Sequence, residues 1–343
     1  MREFGSEYDL SFRNCSLSDL WKGRKYTVLL RSGRDAIFAA AEKLLKEKST
    51  TARAYVPALS CESMYSAFKN LGYEIVFYPI DEAFNPVYLD EIKKGDVLLL
   101  MLYYGMTDVK KIEKWIIEHP EVNTVLDITH SVWDDYAYGL SATFTIGSLR
   151  KSMGTVNGGL LVSDIYDVKA EKGENVFTEY RKKAFRIKKQ YAYDRTQDVK
   201  NEYRKMLAIA EEDIAKNDVF FAADEESVRE FDCVNVEEIR YRRKRNFLVL
   251  YNAINIKILI PDNIDGTPFS LPVAIKNRDE IQREFAKRGV YAPVLWPIDE
   301  TAKNVCGFAG YVADNMLSLP IDQRYGYDDM VDIASIVEEV LSR

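Results

Sequence analysis

The feature that most constrains this fold is the alternation of short apolar runs with helical patterns across residues 25–162. Residues 96–103 form a nearly continuous apolar run, which is typical of a strand buried on both faces of a parallel sheet. Residues 34–48 instead repeat apolar side chains at helical spacing, as an amphipathic helix does. The alternation predicts an α/β layer architecture with a mixed, mostly parallel sheet.

The same patterns predict the other elements of this region. Further strands are predicted over residues 54–57, 74–78, 123–126, 144–146 and 159–162, and helices over residues 61–71 and from 109 to a stop at Pro120. Ligands of such sheets bind at the carboxyl ends of the strands. We therefore expect the chemistry of this chain directly after each strand.

The second half of the chain has a different character. Residues from about 165 to 227 are charged, rich in tyrosine and helix-favouring, with a strand signal only at 219–221. Beyond them, helices are predicted over residues 236–253, 279–288 and 328–341, and strands over 257–260, 270–275 and 291–294. A chain of 343 residues suits two domains of roughly 100–200 residues each. We predict a large domain over residues 1–230, which includes the helical segment, and a smaller C-terminal α/β domain over 231–343.

Composition argues against several kinds of partner. The formal net charge is −7, and the basic stretches 181–189 and 240–245 have acidic neighbours, so we expect solvated helix faces rather than nucleic-acid binding. The four cysteines form no C-x-x-C pair and only two histidines occur, which argues against a structural zinc site. The first twelve residues contain no apolar signal region, and the longest apolar run is shorter than the ~20 residues of a membrane span. We expect a cytoplasmic protein.

Three motifs that define common α/β enzymes are absent from the sequence. It contains no G-x-G-x-x-G, no G-x-x-x-x-G-K-[ST] and no G-x-S-x-G. The sequence therefore lacks the turn that defines each of three classes: nicotinamide-binding Rossmann domains, P-loop enzymes and α/β-hydrolases.

The first candidate site is the start of the 34–48 helix, which opens with the small residues Ser32 and Gly33. Free backbone N–H groups and the positive end of the helix dipole bind anions at such a start, and Arg34 adds charge. The alternative is a plain N-cap, with Asp35 in the first turn.

Three further candidates follow predicted strands. Asp127 comes directly after strand 123–126, with His130 close behind; a turn-forming aspartate is the alternative. Lys151 lies in a small-residue loop, where Arg150 and burial would favour the neutral, nucleophilic amine; a surface lysine is the alternative. Cys61 starts the helix after strand 54–57 and can face the flat side of a ligand, unless it is simply packed.

In their order and spacing, these motifs resemble the DegT/StrS-type aminotransferases. These are fold-type I enzymes that depend on pyridoxal 5'-phosphate (PLP) and are best known for aminating nucleotide-linked keto sugars. Residues 32–37 resemble the family's phosphate-binding turn, residues 55–58 and 104–105 resemble its strand ends, and residues 317–321 resemble its C-terminal Leu-Pro motif. Lys151, followed seven residues later by Gly158-Gly159, resembles the Schiff-base lysine and the Gly-Gly pair.

The resemblance implies a role for each candidate. Lys151 would carry PLP, Asp127 would face the pyridine nitrogen, and His130 would lie beside the phenolic oxygen. The cofactor contacts are implied for Ser32, Gly33, Arg34, Asp35, Cys61, Asp127, His130, Ser148 and Lys151, with Ser148 as the phosphate-binding serine. The implied reaction moves an amino group from an amino acid donor to a keto acceptor, a nucleotide-linked keto sugar, in a homodimer. Tyr103, Tyr104, Trp296 and Arg324 are candidates for lining the acceptor pocket, with core packing as the alternative for the three aromatic residues.

The sequence departs from the family pattern at three points. The segment between the phosphate-binding serine and the lysine is shortened, with Ser148 as the candidate serine. The segment that supplies an asparagine across the dimer interface is not found, and Cys61 stands where many members carry an aromatic ring. Two alternatives therefore remain at this point. One is a different PLP-dependent reaction, such as dehydration or elimination, and the other is a non-catalytic binding protein on the PLP fold.

Overall fold

A computed structural model describes residues 4, 17–47, 53–87, 89–216, 219–260 and 266–342 of the chain. Apart from Phe4, the N-terminal residues in which we looked for a signal region lie outside the described residues. The predicted α/β architecture with a mostly parallel sheet is confirmed. Within the described part of the chain, none of the helices combines the length and the apolar character that crossing a membrane requires.

A seven-stranded sheet forms the centre of the molecule. Its strands are β1 (Tyr26–Leu30), β2 (Arg53–Pro57), β3 (Glu74–Tyr78), β4 (Val97–Met101), β5 (Asn123–Asp127), β6 (Phe144–Ser148) and β7 (Gly159–Ser163). Their order is β1-β7-β6-β5-β4-β2-β3, and β7 runs antiparallel to both of its neighbours while the other pairs are parallel. Asp127 pairs with Met101 on one side and Ile146 on the other, so the carboxyl ends of β4, β5 and β6 are nearly level.

Helices between these strands cover the sheet. They are α1 (Gly33–Lys46), α2 (Glu62–Asn70), α3 (Val109–Glu118) and α4 (Asp135–Gly139). The first helix buries its apolar face from Ala36 to Leu44, as the helical spacing predicts. All five residues of β4 are buried, which agrees with its continuous apolar run.

Two long helices follow the sheet, where the sequence is charged and rich in tyrosine. They are α5 (Val176–Asp194) and α6 (Gln197–Lys216), and Arg195 makes the turn between them in the left-handed conformation with φ 49°. Phe177, Ala210 and Ile214 form a small core of their own between the two helices. We refer to α5 and α6 together as the helical hairpin. The strand signal at 219–221 corresponds only to isolated bridges, which Phe221 makes to Glu171 and Ala222 to Leu30.

The C-terminal part forms a second α/β layer. Its elements are α7 (Glu225–Phe231), α8 (Val236–Ala253), β8 (Lys257–Ile258), β9 (Leu271–Ala274), α9 (Arg278–Lys287), α10 (Glu300–Val305), α11 (Gly307–Asn315), β10 (Met316–Leu319) and α12 (Tyr327–Leu341). The strands form an antiparallel sheet in the order β10-β9-β8. The division at residue 230 stays a prediction.

The predicted strand at 291–294 is wrong. In this segment the Tyr291 N–H donates to the Phe4 carbonyl, and the Pro293 carbonyl accepts from the Ser318 N–H. These hydrogen bonds do not form a continuous ladder. Pro293 has no N–H to donate, which explains why the apolar run does not extend into a strand. The helices α10 and α11 and the strand β10 were not predicted.

Candidate active site

The start of α1 is held together by a buried ion pair. The Arg31 guanidinium donates to both Asp35 carboxylate oxygens, with Nε–Oδ2 at 2.8 Å and Nη2–Oδ1 at 2.9 Å. The Ser32 hydroxyl caps the helix by accepting from the Asp35 N–H at 3.2 Å. The expected N-cap alternative therefore describes Ser32 and Asp35 well. The N–H groups of Gly33 and Arg34 precede the Ala36 N–H, which donates to the Ser32 carbonyl, and as groups of the first turn they can donate to an anion.

The loop after β6 packs directly against this helix start. A Cβ added to Gly33 would lie 2.8 Å from the Ser148 Cβ, so only glycine permits this approach. The Ser148 hydroxyl is buried and has no hydrogen-bond partner. A buried polar group without a partner is costly in a folded protein, and an acceptor at the helix start would satisfy it.

The Gly-Gly pair fits a close crossing of backbones. A Cβ on Gly159 would lie 2.0 Å from the Ser32 carbonyl oxygen, and one on Gly158 would lie 2.7 Å from the Arg150 backbone nitrogen. The pair therefore holds the helix start and the lysine loop together. This gives a steric reason for two glycines at a fixed distance after Lys151.

Asp127 ends β5 with its carboxylate directed by Thr129. Its Oδ1 accepts from the Thr129 N–H at 2.8 Å, and the Thr129 hydroxyl accepts from the Ser148 N–H at 3.0 Å. The carboxylate thus makes the turn that we gave as the alternative, with Oδ1 held by the Thr129 N–H. Burial raises the pKa of the Asp127 carboxyl, against the opposing effects of the Thr129 hydrogen bonds and the Lys151 charge.

His130 is buried and neutral in a fixed orientation. Its Nδ1 accepts from the Tyr104 N–H at 3.1 Å, so the ring proton lies on Nε2. Its ring stacks on Phe269 with centroids 3.9 Å apart and planes at 9°. Burial, with the charges of Lys151 and Arg243, lowers the pKa of His130 well below its usual range. The ring can therefore donate a hydrogen bond from Nε2 at neutral pH.

Lys151 ends a short 3₁₀ turn after Ser148 and is exposed. The expected burial of Lys151 is therefore not found in a single chain. Arg150, which we expected to act on Lys151, is held by the Glu211 carboxylate at 2.8 Å. Lys151 nevertheless lies close enough to Asp127 and His130 for its charge to influence the pKa of each.

Cys61 lies at the N-cap position of α2 and is half-buried. Its Sγ is 3.1 Å from the Ser63 hydroxyl oxygen, so this thiol is packed locally.

The three aromatic candidates for the acceptor pocket are core residues. Tyr103, Tyr104 and Trp296 are each at most 2% exposed, and the Trp296 indole donates to the Tyr104 hydroxyl at 2.7 Å. Arg324 is paired with Asp322 at 2.7 Å. The core-packing alternative therefore holds for the aromatic residues in the single chain.

No family model matches this sequence, and no curated protein matches it. Solved structures match it over nearly its whole length. PseC of Helicobacter pylori, an aminotransferase involved in the biosynthesis of pseudoaminic acid, is 12% identical, with 99% of this chain and 100% of that chain covered at a TM-score of 0.63. Spr1654 of Streptococcus pneumoniae, described as a sugar aminotransferase and solved in its PMP form, is 15% identical, with 98% and 99% covered at a TM-score of 0.60. The chain has the fold of these aminotransferases.

A third structure extends the comparison. A DegT DnrJ EryC1 StrS aminotransferase from Brucella abortus is 12% identical, with 94% of this chain and 89% of that chain covered at a TM-score of 0.58. The predicted fold class is therefore confirmed. At these identities the likeness is one of fold, and the chemistry must be argued from the side chains.

Four groups at this site were missed in the sequence. Thr129 follows Asp127 closely, and an Asp-x-Thr turn is a local signal that could have indicated it. The Tyr104 N–H reaches His130 because Tyr104 adopts φ 56°, a conformation that is rare for a residue with a side chain. Phe269 and Glu211 come from distant parts of the chain, and no local pattern indicates them.

Proposed function

We propose that this chain is a PLP-dependent aminotransferase in which Lys151 holds the cofactor. The observation that carries the proposal is the buried, unpartnered Ser148 hydroxyl, which lies against Gly33 at the start of α1. Lys151, Asp127 and His130 interact electrostatically beside it at the carboxyl edge of the sheet. Ligands bind at this edge in α/β folds.

The residues present fit the phosphate end of the cofactor. The N–H groups of Gly33 and Arg34, the Arg34 side chain and the Ser148 hydroxyl would bind the phosphate. Ser32 and Asp35 would contribute by holding that turn, since the Ser32 hydroxyl donates to the Asp35 carboxylate, which also accepts from Arg31.

They also fit the ring of the cofactor. The Asp127 carboxylate would accept a hydrogen bond from the protonated pyridine nitrogen. The Nε2–H of the neutral His130 would donate to the phenolic oxygen, and Cys61 would lie beside the ring. A thiol makes a smaller contact than the aromatic residue of many relatives.

PLP supplies an electron sink that stabilises negative charge beside the amino nitrogen. The chain contributes the groups that bind and orient it. The Lys151 Nζ supplies the primary amine for covalent attachment, and the same amine can take up and return a proton at the reacting carbon. Asp127, as a carboxylate, would favour a protonated ring nitrogen, while the neutral His130 would donate a hydrogen bond to the phenolic oxygen.

We propose a keto sugar, nucleotide-linked, as the acceptor and an amino acid as the donor. The support is the fold shared with aminotransferases of amino sugar formation. We further propose that the protein is a cytoplasmic homodimer, because the exposed Lys151 would then be covered by the second copy.

The experiment is a half-reaction with glutamate. The purified protein is loaded with PLP and mixed with glutamate, and the formation of pyridoxamine phosphate and 2-oxoglutarate is measured. We expect conversion by the wild type and by the control Lys172→Ala, and none by Lys151→Ala. A bound cofactor that no amino donor converts would instead favour a non-catalytic protein, and release of ammonia would favour elimination.

A further inference from the structure

Glu211 of α6 connects the helical hairpin to two arginines of the candidate active site. The Glu211 carboxylate binds Arg150 through both oxygens, at 2.8 Å and 3.2 Å. The Glu211 carbonyl oxygen accepts from the Arg34 Nη1 at 3.3 Å. Glu211 therefore touches both arginines that flank the proposed phosphate site, one next to Gly33 and one next to Lys151.

The hairpin also fixes Arg150 from its other helix. The Arg150 guanidinium lies 5.4 Å from the centre of the Phe177 ring on α5, and Arg181 lies 5.5 Å from the same ring. Arg150 is therefore held between the two helices of the hairpin. Its Nε is nevertheless buried without an acceptor, as is the Ser148 hydroxyl two residues earlier.

Glu211 lies among several positive charges. Burial opposes ionisation of Glu211, but the charges of Arg150, Arg181 and Arg34 outweigh it and lower the pKa of its carboxyl. Of these arginines, Glu211 pairs directly with Arg150 and contacts Arg34 through its carbonyl oxygen. Arg31 adds little, because Asp35 and Asp213 already pair with it. A phosphate monoester carries a charge of about −1.5 to −2 and would bind beside Arg34 and Arg150 in competition with the negative charge of Glu211.

We propose that Glu211 is the internal counter-ion of this anion site, and that its negative charge sets how tightly a phosphate group is held. The inference rests on the proposed function, because it takes the Ser148 site as the phosphate site. Glu211 occupies one edge of the Arg150 guanidinium and leaves the Nε edge for the ligand. Its charge repels a bound dianion, and this repulsion keeps affinity below what the arginines alone would give.

The substitution Glu211→Gln separates charge from shape. The amide can still accept from Arg150, so the hairpin stays docked while the negative charge is lost. We expect the dissociation constant for PLP to fall about tenfold, since one repulsive unit charge is removed from a partly buried site. Affinity for pyridoxal, which has no phosphate, should not change. A purely structural role for Glu211 would weaken binding of both ligands.

The neighbouring residue offers a matched control. Glu212 has the same chemistry but lies on the exposed side of α6, where it pairs with Lys216. Glu212→Gln should bind PLP and pyridoxal as the wild type does. Arg150→Gln in the Glu211→Gln background should abolish the gain, because the arginine freed by the first change is then absent.

Both ligands are titrated into the cofactor-free proteins, and each variant's thermal midpoint is measured. If Glu211→Gln does not fold, Glu211→Ala should show the same selective gain for PLP over pyridoxal. Unchanged or weaker PLP binding by the variant, with normal binding by the wild type, overturns this inference and leaves the proposed function standing. A wild type that binds no PLP overturns both.

Discussion

At the scale of single residues, the Ser148 hydroxyl oxygen gives the strongest indication of a ligand. It is buried without a partner against Gly33, where a ligand oxygen would complete its hydrogen bonding. Ser148→Ala should weaken PLP binding about tenfold, because a hydrogen bond to a charged group contributes roughly 1.5–3 kcal/mol. Ser270→Ala removes another buried, unpartnered hydroxyl and is the control. Equal effects of both changes on affinity would show that Ser148 does not contact the phosphate.

A substitution at Gly159 tests the close approach between its backbone and that of Ser32. Any Cβ there would lie 2.0 Å from the Ser32 carbonyl oxygen, so the two loops must separate. We expect Gly159→Ala to lower the free energy of unfolding by about 3 kcal/mol or more in urea denaturation. Gly139→Ala is the control, since nothing lies within 4 Å of its added Cβ. A Gly159→Ala protein as stable as the control would contradict this account of the Gly-Gly pair.

Residues that act within a few positions of one another could be predicted from the sequence. Ser32 and Gly33 open a helix whose apolar spacing is plain, and Asp127 ends an apolar strand. Contacts across the fold could not be predicted. Glu211 is 61 residues from Arg150, and only the docking of the helical hairpin brings them together.

At the scale of elements, the regular apolar patterns predicted type and position well. The helix α8 has the bounds expected for it, and β4 lies within its apolar run. The failures have physical causes. Pro293 interrupts the predicted strand at 291–294, and the strand expected at 257–260 shortens to β8. The sequence indicated a helical segment near 165–227 but contained no sign of where its helices would dock.

The short helix α7 carries a carboxyl group that should make stability depend on pH. Burial, followed by the charges of Glu226 and Asp224, raises the pKa of Glu230 to about 7. The folded protein therefore binds a proton that the unfolded chain releases, and stability is lost as pH rises from about 4.5 to about 7. Glu230→Gln should increase the free energy of unfolding by about 1 kcal/mol at pH 8, after allowance for solvent screening.

The comparison for Glu230 is made by urea denaturation across that range. The gain should vanish near pH 4, where the wild-type carboxyl is protonated in both states. Glu225→Gln, at an exposed position of the same helix, should give no pH-dependent difference. A constant gain at all pH values would show that packing, and not ionisation, is responsible.

At the scale of the whole molecule, one buried carboxylate ties the C-terminal part to the large sheet. Asp134 accepts from the Thr267 hydroxyl at 2.6 Å and from its N–H at 3.0 Å. Thr267 lies two residues before Phe269, whose ring stacks on His130. The Asp134 carboxylate therefore supports both the contact between the C-terminal part and the large sheet and the orientation of the His130 ring.

Loss of this carboxylate should affect both stability and the site. Asp134→Ala leaves two buried donors unsatisfied, so we expect the free energy of unfolding to fall by about 3 kcal/mol and PLP affinity to fall with it. Asp135→Ala removes an exposed neighbour and should change neither. Asp134→Ala with full stability and normal PLP binding would rule out this coupling.

The central claim is that the Lys151 amine bonds to the aldehyde of PLP. The direct measurement is reduction of the PLP-loaded protein with borohydride, followed by digestion and mass spectrometry of the modified peptide. We predict one phosphopyridoxyl group, attached to the Nζ of Lys151. Modification of a different lysine, or no stable modification, would contradict the account.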